Sequence, residues 1–183
     1  MTLEFVPTEI AGAFALRHDL RSDERGRFRR LYCEREFAAA GLATHWVQAN
    51  HSVTIGEGAI RGLHFQRPPN AEAKLVSCAV GRAFDVAVDL RRGSDTFLNW
   101  AAVEIDESTS LYIPEGCAHG FQALTGEVHL IYQHSAAYVP EAEAGVRFDD
   151  PRLGIAWPLP VGTVSERDRG FAPIGGDFAG LVL

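Results

Sequence analysis

Between Trp46 and about Ser135, short runs rich in β-branched and aromatic residues are punctuated by turn signals. These are Gly56-Glu57-Gly58, Pro68-Pro69, Gly81, Arg92-Gly93-Ser94, Pro114-Glu115-Gly116 and Thr125-Gly126. Several short strands between such signals predict an all-β sandwich or barrel, not a parallel α/β sheet. Upstream, Gly12 to Leu20 reads as a first strand, and Asp23-Glu24-Arg25-Gly26 as a turn into a strand over Arg27–Tyr32. Glu34–Ala40, alanine-rich and stopped by Gly41, is the best helix candidate. The last thirty-odd residues, with scattered prolines and glycines, read as a loop-rich wrap around the barrel. With 183 residues the chain is expected to form one domain, 1–183, with a real core.

Charge and cysteines narrow the setting. A net charge of −7 weighs against nucleic acid or an anionic membrane as partner, and leaves room for a local basic pocket. No apolar run approaches the ~20 residues of a membrane span, and the N-terminus lacks a basic stretch followed by an apolar one. Cys33, Cys78 and Cys117 are odd in number with no close pair. Structural disulfides and a zinc knuckle are therefore not expected, and a reducing cytoplasm fits best.

Period-two alternation says which side chains can meet. In Ala83–Leu90, Phe84, Val86, Val88 and Leu90 share one face; Asp85 and Asp89 share the other with Ala83 and Ala87. Two aspartates among small residues suit either a polar cavity wall or a solvated outer face. Tyr132 and His134 share a face with Val128 and Leu130. Lys74, on the face of Val76 and Cys78, is either a strand-end lysine in solvent or one aimed into the mouth of a barrel. In Arg61-Gly62-Leu63-His64-Phe65-Gln66, Arg61 and His64 have opposite parity, so a flat strand would separate them. A bulge at Gly62 would turn both toward one cavity. A histidine, a cation, a phenol and an aspartate are the parts needed to move a proton next to a carbonyl.

Several of these runs carry a resemblance when taken in order. They are Asp23-Glu24-Arg25-Gly26, Arg61-Gly62-Leu63-His64-Phe65-Gln66, Asp85-Val86-Ala87-Val88-Asp89-Leu90-Arg91 and Ala118-His119-Gly120-Phe121. Asp150-Pro151, Ile155-Ala156-Trp157-Pro158 and Ser165-Glu166-Arg167-Asp168 complete the set. Together, from about Phe5 to about Pro173, they closely resemble the dTDP-4-dehydrorhamnose 3,5-epimerase family. The resemblance implies a cupin-type jelly roll without a cofactor. It also implies a homodimer whose N-terminal segment reaches into the partner's site, and a nucleotide-diphosphate 4-keto-6-deoxyhexose as substrate.

Residue by residue, it implies His64 as catalytic base, Asp168 as its carboxylate partner, Tyr132 as general acid, and Lys74 as the cation near the C4 oxygen. His119 matches a second pocket histidine. Arg61 and Gln48, with Asn50 beside them, match diphosphate and substrate ligands. Arg25 matches a ligand from the neighbouring subunit, Tyr138 the ring that stacks on the base, Glu143 a further polar contact and Arg169 a basic one.

The chain departs from the pattern at two places. Arg30 stands where the family has a glutamate by the nucleotide, and Ala49 replaces an acidic residue between Gln48 and Asn50. Arginine only donates hydrogen bonds, so Arg30 raises a guanine nucleotide as an alternative to thymine. Two other readings stay open. One is a metal-dependent cupin using His64, His119, His129 and His134, although no closely spaced His-x-His pair is present. The other is a non-catalytic nucleotide-sugar binding protein, which would have no use for a phenol opposite a base.

Overall fold

In the computed structural model, which describes residues 2–183, the short runs become antiparallel strands. They are β1 Leu3–Pro7, β2 Phe14–His18, β3 Arg21–Asp23, β4 Gly26–Phe28, β5 Gln48–Ile55, β6 Ile60–Gln66 and β7 Lys74–Val80. After these come β8 Ala83–Asp89, β9 Trp100–Ile105, β10 Thr109–Ile113, β11 Cys117–Ala123, β12 Glu127–His134 and β13 Glu143–Gly145. Two short helices, α1 Glu34–Ala39 and α2 Glu166–Arg169, complete the set. One sheet runs β1-β2-β10-β7-β12-β5, a second β13-β6-β11-β8-β9, and β3-β4 form a separate hairpin. From β5 to β8 and again from β9 to β12 the chain changes sheet at each connection, which makes a jelly roll.

The expected first strand is the second: β1, five residues ended by Pro7, precedes it as an edge strand paired in register with β2 (Leu3↔His18 to Pro7↔Phe14). The strand expected over Arg27–Tyr32 stops at Phe28. Arg29 leaves the hairpin and donates to Asp106 O (3.3 Å), and Arg30 reaches Glu36 (3.1 Å). The helix forms as expected and ends at Gly41, whose φ of +71° an L side chain would resist.

Between the sheets lies a core of Val76, Cys78, Leu111, Ile113, Val128 and Leu130 from one side and Ala83, Ala87, Ala101, Ile105 and Phe121 from the other. Phe84, Val86, Val88 and Leu90 face away from it and are covered by the C-terminal wrap through Ile155, Trp157, Ile174, Phe178 and Leu181. Asp85 and Asp89 therefore sit on the inner face, and neither is exposed. No described helix is long and apolar enough to cross a membrane.

Asp89 holds the loop that returns to β9. Its Oδ1 accepts from Arg91 N and Nε (both 2.9 Å), and its Oδ2 from Arg91 Nη2 (2.8 Å), Ser94 Oγ (2.5 Å) and Thr96 Oγ1 (2.6 Å). Burial alone would raise this carboxyl; the bonds from Arg91, Ser94 and Thr96 outweigh it and bring the pKa down to about 2. Against an unfolded value of ~3.9, the shift contributes about 2 kcal/mol of stability. A depressed carboxylate stabilises above its unfolded pKa, so this share is present at neutral pH and lost as pH falls from about 4 to about 2. Asp89→Ala, which leaves Arg91 without its carboxylate, is expected to cost about 3 kcal/mol at pH 7. Denaturant titrations at pH 7 and pH 3 should show the variant and the parent converging at the lower pH.

Candidate active site

The site is set by an extra residue in β6. His64 pairs with His119 and Arg61 with Phe121, so Gly62 and Leu63 together face Gly120 alone. Gly62 has φ +131°, and a Cβ there would lie 2.5 Å from Gly120 Cα. Only glycine suits both the backbone angle and the approach. Because of this bulge Arg61 and His64, which strict alternation would separate, line one cavity of about 300 Å³.

Asp168 is brought to His64 by α2. Ser165 caps the helix by accepting from Asp168 N (3.1 Å). His64 Nε2 donates to Asp168 Oδ1 (2.8 Å), and Gly62 N to Oδ2 (3.1 Å). Burial would raise Asp168; the His64 bond and charge, then Gly62 N and Arg167, bring it down to about 2. With the proton on Nε2 held by a carboxylate, Nδ1 is the nitrogen with a free lone pair.

The opposite sheet supplies a phenol and an ammonium to the same cavity. Tyr132 on β12 accepts from Ser52 Oγ (3.3 Å) and meets the His119 ring edge-on, with centroids 5.8 Å apart. Burial pushes its phenol well above the usual range, so at neutral pH it carries a proton it can donate. Lys74 on β7 points inward and is 6% exposed. Its Nζ lies 3.2 Å from Glu72 Oε1 and donates to His64 O (3.2 Å). Glu72 in turn accepts from Gln66 Nε2 (2.6 Å). His119 Nε2 donates to Asp85 Oδ1 (2.7 Å), and burial raises the Asp85 carboxyl against the pull of His119 and Lys74. Of the two readings for the aspartates of β8, the polar wall behind the cavity is the one that holds for Asp85.

Away from these groups, Arg61 donates to Thr54 Oγ1 (2.9 Å) and Val53 O (3.2 Å). Gln48 donates to Asn50 Oδ1 (3.3 Å) and accepts from Tyr138 N (2.9 Å). The half-exposed Tyr138 donates its hydroxyl to Glu143 Oε2 (2.8 Å). Glu143 Oε1 accepts from Arg167 Nη1 (2.9 Å), and Arg167 Nε donates to Asp168 Oδ1 (3.3 Å).

Besides Asp168, which lies behind His64, three sequence candidates do not line the cavity: Gln48, which bonds to Asn50 and Tyr138 on its wall, Arg169 and Arg25. Arg169 turns away along α2 to Val164 O (3.4 Å) and does not line the cavity; Arg167 does. Arg25 sits at the tip of the β3–β4 hairpin, paired with Asp23, outside its own chain's cavity. Arg167, Glu72 and Ser52 line the wall but were not singled out from the sequence. Glu72 was detectable in principle, since it lies two residues before Lys74 and shares its face.

The histidines do not gather as a metal site. His129 lies on the outer face of β12 with His51 (3.2 Å) and Glu127 (2.7 Å). Among the described residues no group of three or more His, Cys, Asp or Glu side chains converges to hold an ion. His64 and His119 are each tied to an aspartate instead.

A sequence profile of the dTDP-4-dehydrorhamnose 3,5-epimerases matches residues 7–174. A relative of that name from Methanothermobacter thermautotrophicus is 41% identical over 175 residues, spanning 93% of this chain and 94% of its own. The chain belongs to the dTDP-4-dehydrorhamnose 3,5-epimerase family. Its fold is correspondingly close to the crystal structure of a Legionella pneumophila dTDP-6-deoxy-D-glucose-3,5-epimerase in complex with dTDP-4-keto-L-rhamnose. That structure has a TM-score of 0.91 and 32% identity and covers 100% of each chain. Also similar is a dTDP-4-dehydrorhamnose 3-epimerase from Streptomyces niveus, 40% identical over 166 residues (89% of this chain, 80% of its own). Within this epimerase family, then, the cavity just described holds an imidazole on one sheet, bonded to a carboxylate from α2, and a protonated phenol on the other sheet.

Proposed function

We propose that the protein inverts C3, C5 or both of a dTDP-linked 4-keto-6-deoxyhexose, without a cofactor, on the way to a deoxysugar. The observation that carries this reading is the pairing of His64, on the five-stranded sheet, with Tyr132, on the six-stranded sheet, across one cavity. A base and an acid on opposite walls can take a proton from one face of a ring carbon and return one to the other.

His64 Nδ1 takes the proton next to the ketone. The electron pair of the broken C–H bond moves onto the C4 oxygen, and the enolate forms beside the Lys74 ammonium. A fixed cation helps most where charge appears during the reaction. The Tyr132 hydroxyl then gives its proton to the opposite face of the carbon. Solvent returns a proton to the phenolate and removes one from the imidazolium, so acid and base are restored.

The sugar nucleotide would extend past Asn50 and Gln48 toward Tyr138 and Glu143, with Arg61 and Arg167 supplying guanidiniums for the diphosphate. Arg25, at the tip of an exposed hairpin with Phe28 63% exposed, would serve a second copy of the chain, which makes the working unit a homodimer. Arg30 is engaged by Glu36 and is not on its own chain's cavity wall, so the base is read as thymine stacked on Tyr138. The cytoplasm, where nucleotide sugars are made, is the expected compartment.

Incubation with dTDP-4-keto-6-deoxyglucose in deuterated water tests the reaction and reports which carbons exchange. No deuterium at either carbon, across several nucleotide bases, would overturn it. Calorimetric titration should find dTDP at least about tenfold, or ~1.4 kcal/mol, tighter than GDP. Tyr132→Phe should retain proton removal, read as deuterium wash-in, while inversion falls by about 10². Inversion at the parental rate would mean that water or another residue delivers the proton.

A further inference from the structure

Between the groups with assigned roles stands His134, which lines the same cavity wall. It is the middle of a row across the sheet, with Cα partners Lys74 on β7 and Gln48 on β5. Tyr132 lies two residues earlier on the same face. The His134 imidazole is stacked beside the phenol, with centroids 6.2 Å apart and planes 23° apart. His119 meets the phenol from another side at 69°. Asn50, the cross-strand partner of Tyr132, donates its Nδ2 hydrogen to His134 Nε2 (3.4 Å). Burial, then the charges of Lys74 and His119, lower the His134 pKa to about 4. At neutral pH the ring is therefore uncharged, and Nε2 keeps the lone pair that the Asn50 bond needs. Among the described residues the phenol oxygen has a single hydrogen bond, the 3.3 Å one from Ser52. One long bond to a rotatable hydroxyl leaves the ring free to swing, whereas aromatic rings on two sides confine it.

We propose that His134 is a positioning residue for the proton donor: stacked on Tyr132 and tied to Asn50, it keeps the phenol hydroxyl aimed at the ring carbon. This rests on the reading of Tyr132 as the acid. A displacement of the donor by even 1 Å degrades proton delivery while leaving the base on the other sheet untouched. The role therefore has a signature that neither a ligand nor a purely structural residue would give.

The test measures deuterium wash-in, inversion and dTDP affinity separately in His134→Ala and His134→Phe. His134→Ala is expected to slow inversion by about tenfold, with wash-in and dTDP affinity within about twofold of the parent. His134→Phe, which keeps a flat ring beside the phenol, should regain most of the lost inversion. Added to Tyr132→Phe, His134→Ala should cost less than about twofold more, because the donor it positions is gone.

Equal losses in the Ala and Phe variants would overturn the proposal in favour of a polar contact to substrate. A parallel fall in wash-in or dTDP affinity would overturn it too, since the wall itself would then have failed. Full additivity with Tyr132→Phe would do the same. Failure of the acid reading shows up separately, as Tyr132→Phe inverting at the parental rate.

Discussion

Replacing His64 by alanine is expected to lower deuterium wash-in at both ring carbons by about 10³- to 10⁴-fold, with dTDP affinity close to that of the parent. The split follows from where the groups stand. His64 is the imidazole tied to Asp168, and most residues read as nucleotide ligands reach the cavity from β5, the loop before β13, β13 and α2; Arg61, on β6 with His64, is held separately by Thr54 and Val53. Removing the ring leaves Asp168 with Gly62 N (3.1 Å) and Arg167 Nε (3.3 Å), so the carboxylate is not stranded. The wall should therefore stay in place, and free imidazole in the buffer should restore part of the exchange. Asp168→Asn should be milder in wash-in but more damaging to the fold, because an amide has one acceptor oxygen and sets a donor NH2 where the second carboxylate oxygen accepted. With the Asp168 carboxyl at about 2, the pair remains intact down to about pH 4. Wash-in in His64→Ala above a tenth of the parental rate would remove His64 from its role.

Lys74→Ala should be the next most damaging change, slowing wash-in by about 10²- to 10³-fold, the usual loss when a preorganised charge stabiliser is deleted. It should also cost about 3 kcal/mol of stability, because Glu72, 7% exposed, would keep a buried charge without its cation. The two losses can be separated. In the double variant Glu72→Gln with Lys74→Met the stranded carboxylate is gone, an amide can still accept from Gln66, and the melting temperature should recover. The rate should not, since nothing replaces the ammonium beside the enolate. Recovery of both would mean that Lys74 acts only by holding the wall together.

The jelly roll was legible because its strands are short and their turns are chemically marked, and the order of motifs fixed which residues had to meet. Where the reading fell short, the cause lay in contacts that local pattern does not encode. β1 escaped notice because five residues ending in proline make a weak strand signal until β2 pairs with them. Arg169 was taken for the basic wall residue where Arg167 is: four residues after a serine cap do not announce a helix, and without the helix the direction of each side chain is open. Asp85 and Asp89 share parity and burial, yet one backs the cavity and the other anchors a loop. Only Arg91, Ser94 and Thr96, which follow Asp89, tell them apart. His134 was visible as a histidine and was weighed as a metal donor, but its relation to Tyr132 and Asn50 depends on the register of β5 against β12.

The extra residue in β6 has a consequence for anyone who would move this chemistry elsewhere. Copying Arg61 and His64, with Tyr132, Lys74 and Asp168, onto another antiparallel sandwich would put Arg61 and His64 on opposite sides of their sheet, because a regular ladder sends residues three apart to opposite surfaces. What must be transplanted is a piece of main chain, Gly62 against Gly120, where two backbones touch with no room for a methyl group. The transferable unit is thus a pair of glycines that carries no chemistry of its own.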